Sequence, residues 1–115
     1  MYRPRAFVMD DRAVLLAVMR EHPFATIAAV KDGAVQFAYA PMMVDEDGLR
    51  FHLARANPVA ALADGAALAI TFRGPDAYIS PDWYVTEHLV PTWNYIAVEA
   101  RGVARKQTRE ELRIL

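Results

Sequence analysis

The segment "FHLARANP", residues 51–58, places His52, Arg55 and Asn57 around a predicted change from strand to helix. The N-terminus of a helix presents free N–H groups and a partial positive charge, so an anion can bind there. The guanidinium of Arg55 adds a planar fork of donors that matches phosphate oxygens, and the other two side chains can donate further hydrogen bonds. These residue types therefore make the segment a candidate phosphate site.

A purely structural interpretation of the same segment stays open. Asn57 can cap a helix that begins at Pro58, and Arg55 can be a solvated turn residue. Alternation along residues 49–54 turns His52 away from the apolar side chains of that predicted strand. The sequence contains neither a GxGxxG nor a GxxxxGK[ST] loop, so the two common glycine-rich nucleotide cradles are absent from it.

A second cluster consists of "SPDWY" and "VPTWNY", in which Trp83 and Trp93 lie within eleven residues. Aromatic faces beside hydroxyl and amide groups suit a flat heteroaromatic ligand, and Trp and Tyr are also enriched at subunit interfaces. Ordinary core packing of both tryptophans is the third interpretation. The neighbours that could take part are Tyr84, Thr92, Asn94 and Tyr95.

Metal and hydrolase sites find no support in the sequence. His22, His52 and His88 lack the spacing of zinc ligands, and neither HExxH nor cysteine occurs. Ser80 is not part of a GxSxG elbow, so no Ser-His-Asp set can be assigned. The acidic run "DEDG" lacks EF-hand spacing and is predicted to be a hairpin turn. We therefore predict no metal site and no catalytic residue.

Composition favours one globular domain over residues 1–115, because 55% apolar residues suffice for a single core. The net charge is −1 and both signs are interspersed, so direct DNA binding is unsupported. The basic stretch "RGVARKQTR" is interpreted as a solvated edge strand followed by a helix start. The apolar runs are shorter than the roughly 20 residues that cross a bilayer, and no secretory signal is recognisable, so a cytoplasmic protein is expected.

The elements that must position these clusters are mostly strands. Asp32-Gly33 is a strong signal for a hairpin. In the second strand Val35, Phe37 and Tyr39 share one face. Hairpin spacing without regular strand–helix alternation favours an antiparallel barrel or sandwich. Strands are predicted over residues 24–30, 35–44, 49–54, 67–72, 77–80 and 94–105.

Three helices are predicted around these strands. The segment "DDRAVLLAVMREHP" indicates the first, with Asp10 or Asp11 as its N-cap. A helix of about two turns is predicted over residues 58–65. The third begins at Thr108, which has the spacing of a capping box with Glu111. The apolar stripe of the first helix is predicted to be Val14, Leu15, Val18 and Met19.

Five separated motifs, in this order and approximate spacing, resemble the PaiB-like family, the FMN-binding negative transcriptional regulators of the protease synthase and sporulation type. The motifs are "MYRPRAF", "HPFATIAA", "FHLARANP", "FRGPDAYISPDWY" and "VPTWNYIAVEARG", which together span residues 1–102. The resemblance implies a mainly β fold with flanking helices, a split β-barrel of the flavin reductase and pyridoxamine-phosphate-oxidase-like class. It also implies a homodimer that holds FMN at the subunit interface.

The resemblance assigns a role to each cluster. The motif "HLARANP" is expected to contact the phosphate and ribityl chain of FMN, and the two tryptophan clusters are expected at the isoalloxazine ring and the dimer seam. The cofactor-binding residues expected in this way are His52, Arg55, Asn57, Ser80, Trp83, Thr92, Trp93 and Asn94.

The chain also departs from the family pattern. Members usually carry a histidine in an "HLP" element where this sequence has "YAP", so Tyr39 replaces that histidine. The linker between "WY" and "VPTWNY" is often longer than "VTEHL". Typical members continue for several dozen residues beyond the last predicted helix, adding a helical segment and a strand. We therefore expect a C-terminal segment to be missing here, and an open sheet edge where it would pair.

Three functions are compatible with these features. The first is a PaiB-like FMN-binding regulator, in which flavin is a bound ligand. The second is a flavin-dependent oxidoreductase or FMN reductase that uses the same pocket. The third is a flavin-free dimeric interaction module. Because flavin chemistry belongs to the cofactor, the residues assign no catalytic group and leave the enzyme question open.

Overall fold

The computed structural model describes residues 1–62, 64–83 and 91–107 of the chain. Within that part there is one α-helix, six strands and two short 3₁₀ turns, at Arg5–Phe7 and Pro81–Trp83. The helix and strands are α1 (Arg12–Glu21), β1 (Phe24–Lys31), β2 (Ala34–Pro41), β3 (Met43–Val44), β4 (Leu49–Arg50), β5 (Ala67–Ile79) and β6 (Thr92–Val103).

Four strands form one sheet in the order β2-β1-β5-β6, and β3 and β4 form a separate hairpin. Every pairing is antiparallel, which confirms the mainly antiparallel β class predicted from the sequence. Over the described residues the sheet is open, with β2 at one edge and β6 at the other.

Helix α1 begins where the sequence predicts. The Asp11 carboxylate accepts hydrogen bonds from the backbone N–H of Ala13 at 2.9 Å and of Val14 at 3.4 Å, which is the geometry of an N-cap. The predicted apolar stripe is only partly right, because Val14 is exposed and Leu16, which the prediction left out, is buried beside Met19. The buried face is therefore rotated relative to the predicted one.

The first hairpin confirms the Asp-Gly prediction. Lys31 pairs with Ala34 across a two-residue loop. Asp32 and Gly33 both have positive φ, at 52° and 78°. Positive φ at both central residues is the signature of a type I′ turn, whose twist matches that of the flanking strands. Local chemistry alone is enough to set the register of β1 on β2.

The acidic run "DEDG" forms the turn between β3 and β4, as predicted. The backbone N–H of Asp45 donates to the carbonyl of Gly48 at 2.9 Å, and the Asp45 carboxylate accepts from Arg50 Nε at 2.8 Å. Two arginines of α1 fasten the helix to this hairpin. Arg12 donates to the Glu46 carbonyl, and Arg20 Nε donates to the Val44 carbonyl at 3.2 Å.

Strand β5 is a single strand of 13 residues, where the sequence predicts two shorter ones. Gly74 and Pro75 lie in a register shift between Arg73 and Asp76 rather than in a turn. A proline is tolerated there because the pairing of β1 with β5 covers only residues 69–71, so no strand on that side needs its missing N–H. The Gly-Pro pair therefore bends the strand without ending it.

The helix predicted over residues 58–65 is wrong. The segment is a series of turns with hydrogen bonds between residues three apart, from Ala60 N–H to the Asn57 carbonyl at 3.0 Å and from Leu62 N–H to the Val59 carbonyl at 3.2 Å. Gly65 does end the segment with a positive φ of 88°. Because Val59 and Leu62 both pack on the core, tertiary contacts hold the turns in this tighter geometry. The helix predicted from Thr108 lies outside the described residues.

The core lies on one side of the four-stranded sheet, here called the inner face. Alternate residues of β1 and β5 point into it, and Ile27 and Phe72 are fully buried. Helix α1 and the segment 51–62 cover this face. The strand predicted over residues 49–54 shortens to β4, but its alternation persists, since Phe51 and Leu53 pack on the core while His52 is exposed. The buried core residues are Leu16, Met19, Ala25, Ile27, Ala29, Ala38, Ala40, Met42, Val59, Leu68, Ile70, Phe72 and Val98.

Candidate functional site

The opposite side of the sheet, here called the outer face, carries large apolar side chains that nothing in the described residues covers. Strand alternation turns Phe37 and Tyr39 of β2 to this side, and they are 60% and 61% exposed. Extended apolar patches of this kind mark sites for partners or ligands. The exposed large apolar residues of the outer face are Phe24, Val30, Val35, Phe37, Tyr39, Tyr78, Trp93, Tyr95 and Val103.

An aromatic cluster, Tyr78, Trp83 and Trp93, lies at one end of the β5–β6 ribbon. The ladder pairs Tyr78 directly with Trp93, and their ring centroids are 5.8 Å apart. Trp83 follows in the 3₁₀ turn and contacts Tyr78 edge to face at 6.4 Å. Both tryptophans are exposed, at 67% and 59%, so the interpretation of them as core residues is wrong.

A cleft of about 470 Å³ opens beside this cluster. Its volume falls within the range of roughly 300 to 1,000 Å³ that is typical of small-molecule sites. The lining combines aromatic faces with a hydroxyl, a guanidinium and a carboxylate, which suits a flat ring that carries polar groups on its edge. The residues that line it are Thr71, Arg73, Asp76, Trp93, Tyr95 and Ala97.

Three other predicted site residues lie near the cluster with different orientations. Ser80 Oγ accepts a hydrogen bond from the Asp82 N–H at 3.2 Å, and so it holds the turn that presents Trp83. Thr92 and Asn94 flank Trp93 in β6, so alternation turns their side chains to the opposite side of the strand. Tyr84 and His88 lie outside the described residues.

The candidate phosphate segment is arranged differently from the prediction. His52 and Arg55 are exposed, and neither makes a hydrogen bond or ion pair within the part of the chain that the structure describes. The Asn57 side chain accepts from the Val59 N–H at 3.0 Å, which is the capping role of the structural interpretation. Because no regular helix follows, a phosphate here would depend on the His52 and Arg55 side chains rather than on a helix terminus.

The two halves of the predicted site lie apart within one protomer. The turns after Asn57 lead to Gly65, whose N–H donates to the Ala104 carbonyl at 2.7 Å, next to the β6 terminus. The aromatic cluster occupies the other end of the same ribbon. At about 3.3 Å per residue, the stretch from Ala67 to Tyr78 spans roughly 35 Å. Segment 51–62 also packs on the inner face, whereas the cluster belongs to the outer face.

Sequence reasoning missed Arg73, Asp76 and Tyr78. The signal for the first two was the "RGPD" string, because glycine and proline inside a strand pattern suggest a bulge that redirects neighbouring side chains. Tyr78 can be found only from the strand register, which sets it opposite Trp93. Tyr39, which stands where the family usually has histidine, is exposed near the end of β2 opposite Thr26.

Two negative findings limit the chemistry of the described residues. They contain no group of three or more His, Cys, Asp or Glu side chains that could hold a metal ion. None of their helices is long and apolar enough to cross a membrane.

The chain matches a protein family described as "Putative FMN-binding domain" over residues 1–115, and it belongs to this family. It is also 30% identical over 117 residues to "Protease synthase and sporulation protein PAI 2" of Bacillus subtilis (strain 168), covering 97% of this chain and 56% of that protein. It is 34% identical over 76 residues to the Saccharomyces cerevisiae protein YKL070W, covering 62% of this chain and 45% of that protein.

These similarities confirm the PaiB-like family and its cofactor, FMN, both predicted from the motifs. The chain spans about half the length of the curated relatives that it matches. The aromatic faces and polar groups of the outer-face cleft fit the ring system of FMN, and the exposed cation of Arg55 fits its phosphate.

Proposed function

We propose that this chain is the FMN-binding domain of a PaiB-like negative regulator and that two copies hold FMN between them. The observation that carries the proposal is the uncovered outer face, with its aromatic cluster beside a cleft of ligand size. Large apolar surface of this kind is stable in solution when it is buried against a partner. A second copy of the same chain is the simplest such partner.

Two-fold symmetry also supplies a reason for the separation of the two predicted half-sites. An isologous dimer places one end of a strand ribbon near the opposite end of its partner when the ribbons lie antiparallel. The Arg55 segment of one subunit then approaches the aromatic cluster of the other. In this arrangement neither protomer holds a complete site alone, and FMN binding and dimerisation support each other.

The split barrel is proposed as the complete architecture around this dimer. The four-stranded sheet would curve, and a segment beyond residue 107 would close the gap between its edge strands β2 and β6. An edge of 12 residues in β6 favours such pairing, because long unpaired edges are otherwise prone to aggregation.

Each group of residues has a binding role in this proposal. Trp83, Trp93 and Tyr78 pack against the isoalloxazine ring, and Arg55 with His52 donates to the phosphate. Bound FMN supplies the capacity to exchange electrons and to change state with the redox conditions. The protein side chains orient the ring and shield it from water. None of them is assigned a proton-transfer or nucleophilic role.

The regulatory role is proposed from the family resemblance and from the name of the Bacillus relative, which refers to protease synthesis and sporulation. A net charge of −1 gives little attraction to DNA phosphates, so we propose that regulation proceeds through a protein partner in the cytoplasm rather than through direct DNA binding.

Absorption spectroscopy and light scattering test the proposal together. We expect the purified protein, mixed with FMN and passed through a desalting column, to retain flavin absorption bands and to have the mass of a dimer. A monomeric protein that elutes without flavin would contradict the proposal and favour a flavin-free module. Rapid bleaching of the bound flavin by NADH or NADPH would instead support the oxidoreductase hypothesis.

Tryptophan fluorescence tests where the flavin lies. Trp83 and Trp93 are the two tryptophans of the chain, so FMN bound at the aromatic cluster should quench their emission strongly and saturably. Trp83→Phe and Trp93→Phe should each preserve the fold and remove the response of one residue. A titration that quenches neither single-tryptophan variant would leave the cluster with a structural role only.

A further inference from the structure

The irregularity in β5 creates a charged pair that a regular strand would not allow. Residues three apart in a regular strand point to opposite faces. Here Arg73 pairs with Ala97 and Asp76 with Tyr95, so three steps on β5 oppose two on β6. The extra residue turns both charged side chains to the outer face, where Arg73 Nη2 lies 2.9 Å from Asp76 Oδ2.

The bulge is held in place by close packing. A Cβ atom added to Gly74 would lie 3.1 Å from Ile96 Cβ and 3.2 Å from its Cγ2, so only glycine lets the two strands approach this closely. Bulges of this type often redirect side chains next to binding sites. The position of the Arg73–Asp76 pair is therefore built into the backbone rather than left to side-chain rotation.

Stability does not explain the pair. The Arg73 side chain is 72% exposed and that of Asp76 is 36% exposed, and ion pairs between such groups contribute little to folding. Both residues instead line the cleft that contains the aromatic faces of Trp93 and Tyr95. A ring packed on those faces would have its edge within reach of a carboxylate and a guanidinium.

The flavin ring has an edge that matches this pair. Its pyrimidine-dione portion is an imide, in which one N–H stands between two carbonyl groups. A carboxylate can accept from the N–H, and a guanidinium can donate to a neighbouring carbonyl. Hydrogen bonds that involve an ionised group are roughly twice as strong as neutral ones.

We propose that Arg73 and Asp76 recognise the imide edge of the bound flavin, with the Asp76 carboxylate accepting the imide N–H and Arg73 donating to the adjacent carbonyl. This inference rests on the proposed function, since it places the flavin ring in the outer-face cleft. It adds a selectivity: the cleft prefers rings with an unsubstituted imide nitrogen, because a site that accepts an N–H rejects an analogue lacking it.

The test compares FMN with 3-methyl-FMN, in which a methyl group replaces the imide hydrogen, by equilibrium titration of the full chain. A hydrogen bond to a charged group corresponds to about tenfold to a hundredfold in affinity, so the dissociation constant should be higher for 3-methyl-FMN by at least about tenfold. Equal dissociation constants for the two ligands on the unmutated protein would overturn the inference, and this comparison needs no variant.

A variant separates loss of the hydrogen bond from a steric effect of the methyl group. Asp76→Ala should weaken FMN by about tenfold while changing 3-methyl-FMN by less than about twofold, so the preference disappears. The matched control, Asp47→Ala in the exposed β3–β4 turn, should leave both affinities unchanged. A preference that survives intact in Asp76→Ala would overturn the inference.

Two further arms keep the result decisive. If Asp76→Ala does not fold, Asp76→Asn preserves the size and one neutral acceptor; a preference smaller than that of the parent supports the inference, and an equal preference overturns it. If the parent protein binds no FMN at all, the proposed function fails as well. If it binds FMN without preferring it to 3-methyl-FMN, only the role of Arg73 and Asp76 fails.

Discussion

The two faces of the four-stranded sheet have similar apolar content and opposite environments. On β2, the small residues Ala38 and Ala40 are buried, whereas the large Phe37 and Tyr39 next to them are exposed. The inner face thus takes the small side chains, which leave room for α1 and the segment 51–62 to pack closely. The difference teaches that alternation identifies two faces but does not say which one the rest of the chain will cover.

The faces also differ in how their polar groups are used. The inner face contains no buried polar or charged residue in the described part of the chain. The outer face sets the Arg73–Asp76 pair and the Thr71 hydroxyl among exposed aromatic rings. Aromatic surface with a few placed polar groups is typical of ligand sites, and uniformly apolar packing is typical of a core.

The largest expected effect comes from the inner face. Phe72 is fully buried, so Phe72→Ala should lower the free energy of unfolding by about 3 to 5 kcal/mol, through lost burial and the cavity that remains. Denaturant titration followed by circular dichroism measures this loss. If the variant does not fold, Phe72→Leu should still show a smaller loss with the same sign.

Phe37→Ala on the outer face is the matched control, since the same residue type is 60% exposed there. It should change the unfolding free energy of the monomer little and should raise the dissociation constant of the dimer, because the outer face is the proposed interface. Equal losses of monomer stability in Phe72→Ala and Phe37→Ala would break the distinction between the two faces.

The next effect concerns Arg55, whose segment packs on the inner face while its own side chain stays exposed. If Arg55 donates charge-assisted hydrogen bonds to the FMN phosphate, Arg55→Ala should weaken FMN binding by about tenfold to a hundredfold. Isothermal titration calorimetry measures this change. Riboflavin, which lacks the phosphate, should bind weakly and lose almost nothing further.

Arg5→Ala is the control for Arg55, because Arg5 is also exposed and has no hydrogen bond or ion pair within the described residues. It should bind FMN like the parent. Equal losses for FMN and riboflavin in Arg55→Ala would point to a general defect, and no loss for either ligand would return Arg55 to a solvated turn residue.

The smallest of these effects tests the bulge that joins the two faces. Gly74→Ala forces a Cβ against Ile96 and should cost about 1 to 3 kcal/mol of stability, as overpacking does. Gly102→Ala, in the same ribbon, has no atom within 4 Å of its new Cβ and should cost less. A Gly74→Ala variant as stable as Gly102→Ala would show that the bulge is loosely held.

Local signals accounted for much of the fold. The Asp-Gly turn, the Asp11 cap and the periodicity of β1, β2 and β6 could all be predicted, because each depends on residues close in sequence. The two failures share a cause. Residues 58–65 have helix-forming alanines, and residues 67–79 contain a Gly-Pro pair, yet packing against the core and against β6 overrode both local preferences.

The candidate site shows the same division. Motifs identified the family, the cofactor and the exposed Arg55, since these depend on residue type and order. They did not reveal that Tyr78 would join Trp83 and Trp93, or that Arg73 would meet Asp76. Those contacts arise from the register of β5 on β6 and from one extra residue in a bulge.

The sequence by itself determined the antiparallel β class, the hairpins and the FMN-binding family, because turn chemistry, alternation and motif order are all written along the chain. Only the tertiary structure decided which face of the sheet is covered and which side chains share the cleft. The physical reason is that alternation has a period of two and offers both faces equally, so the choice depends on where α1 and the segment 51–62 find room to pack.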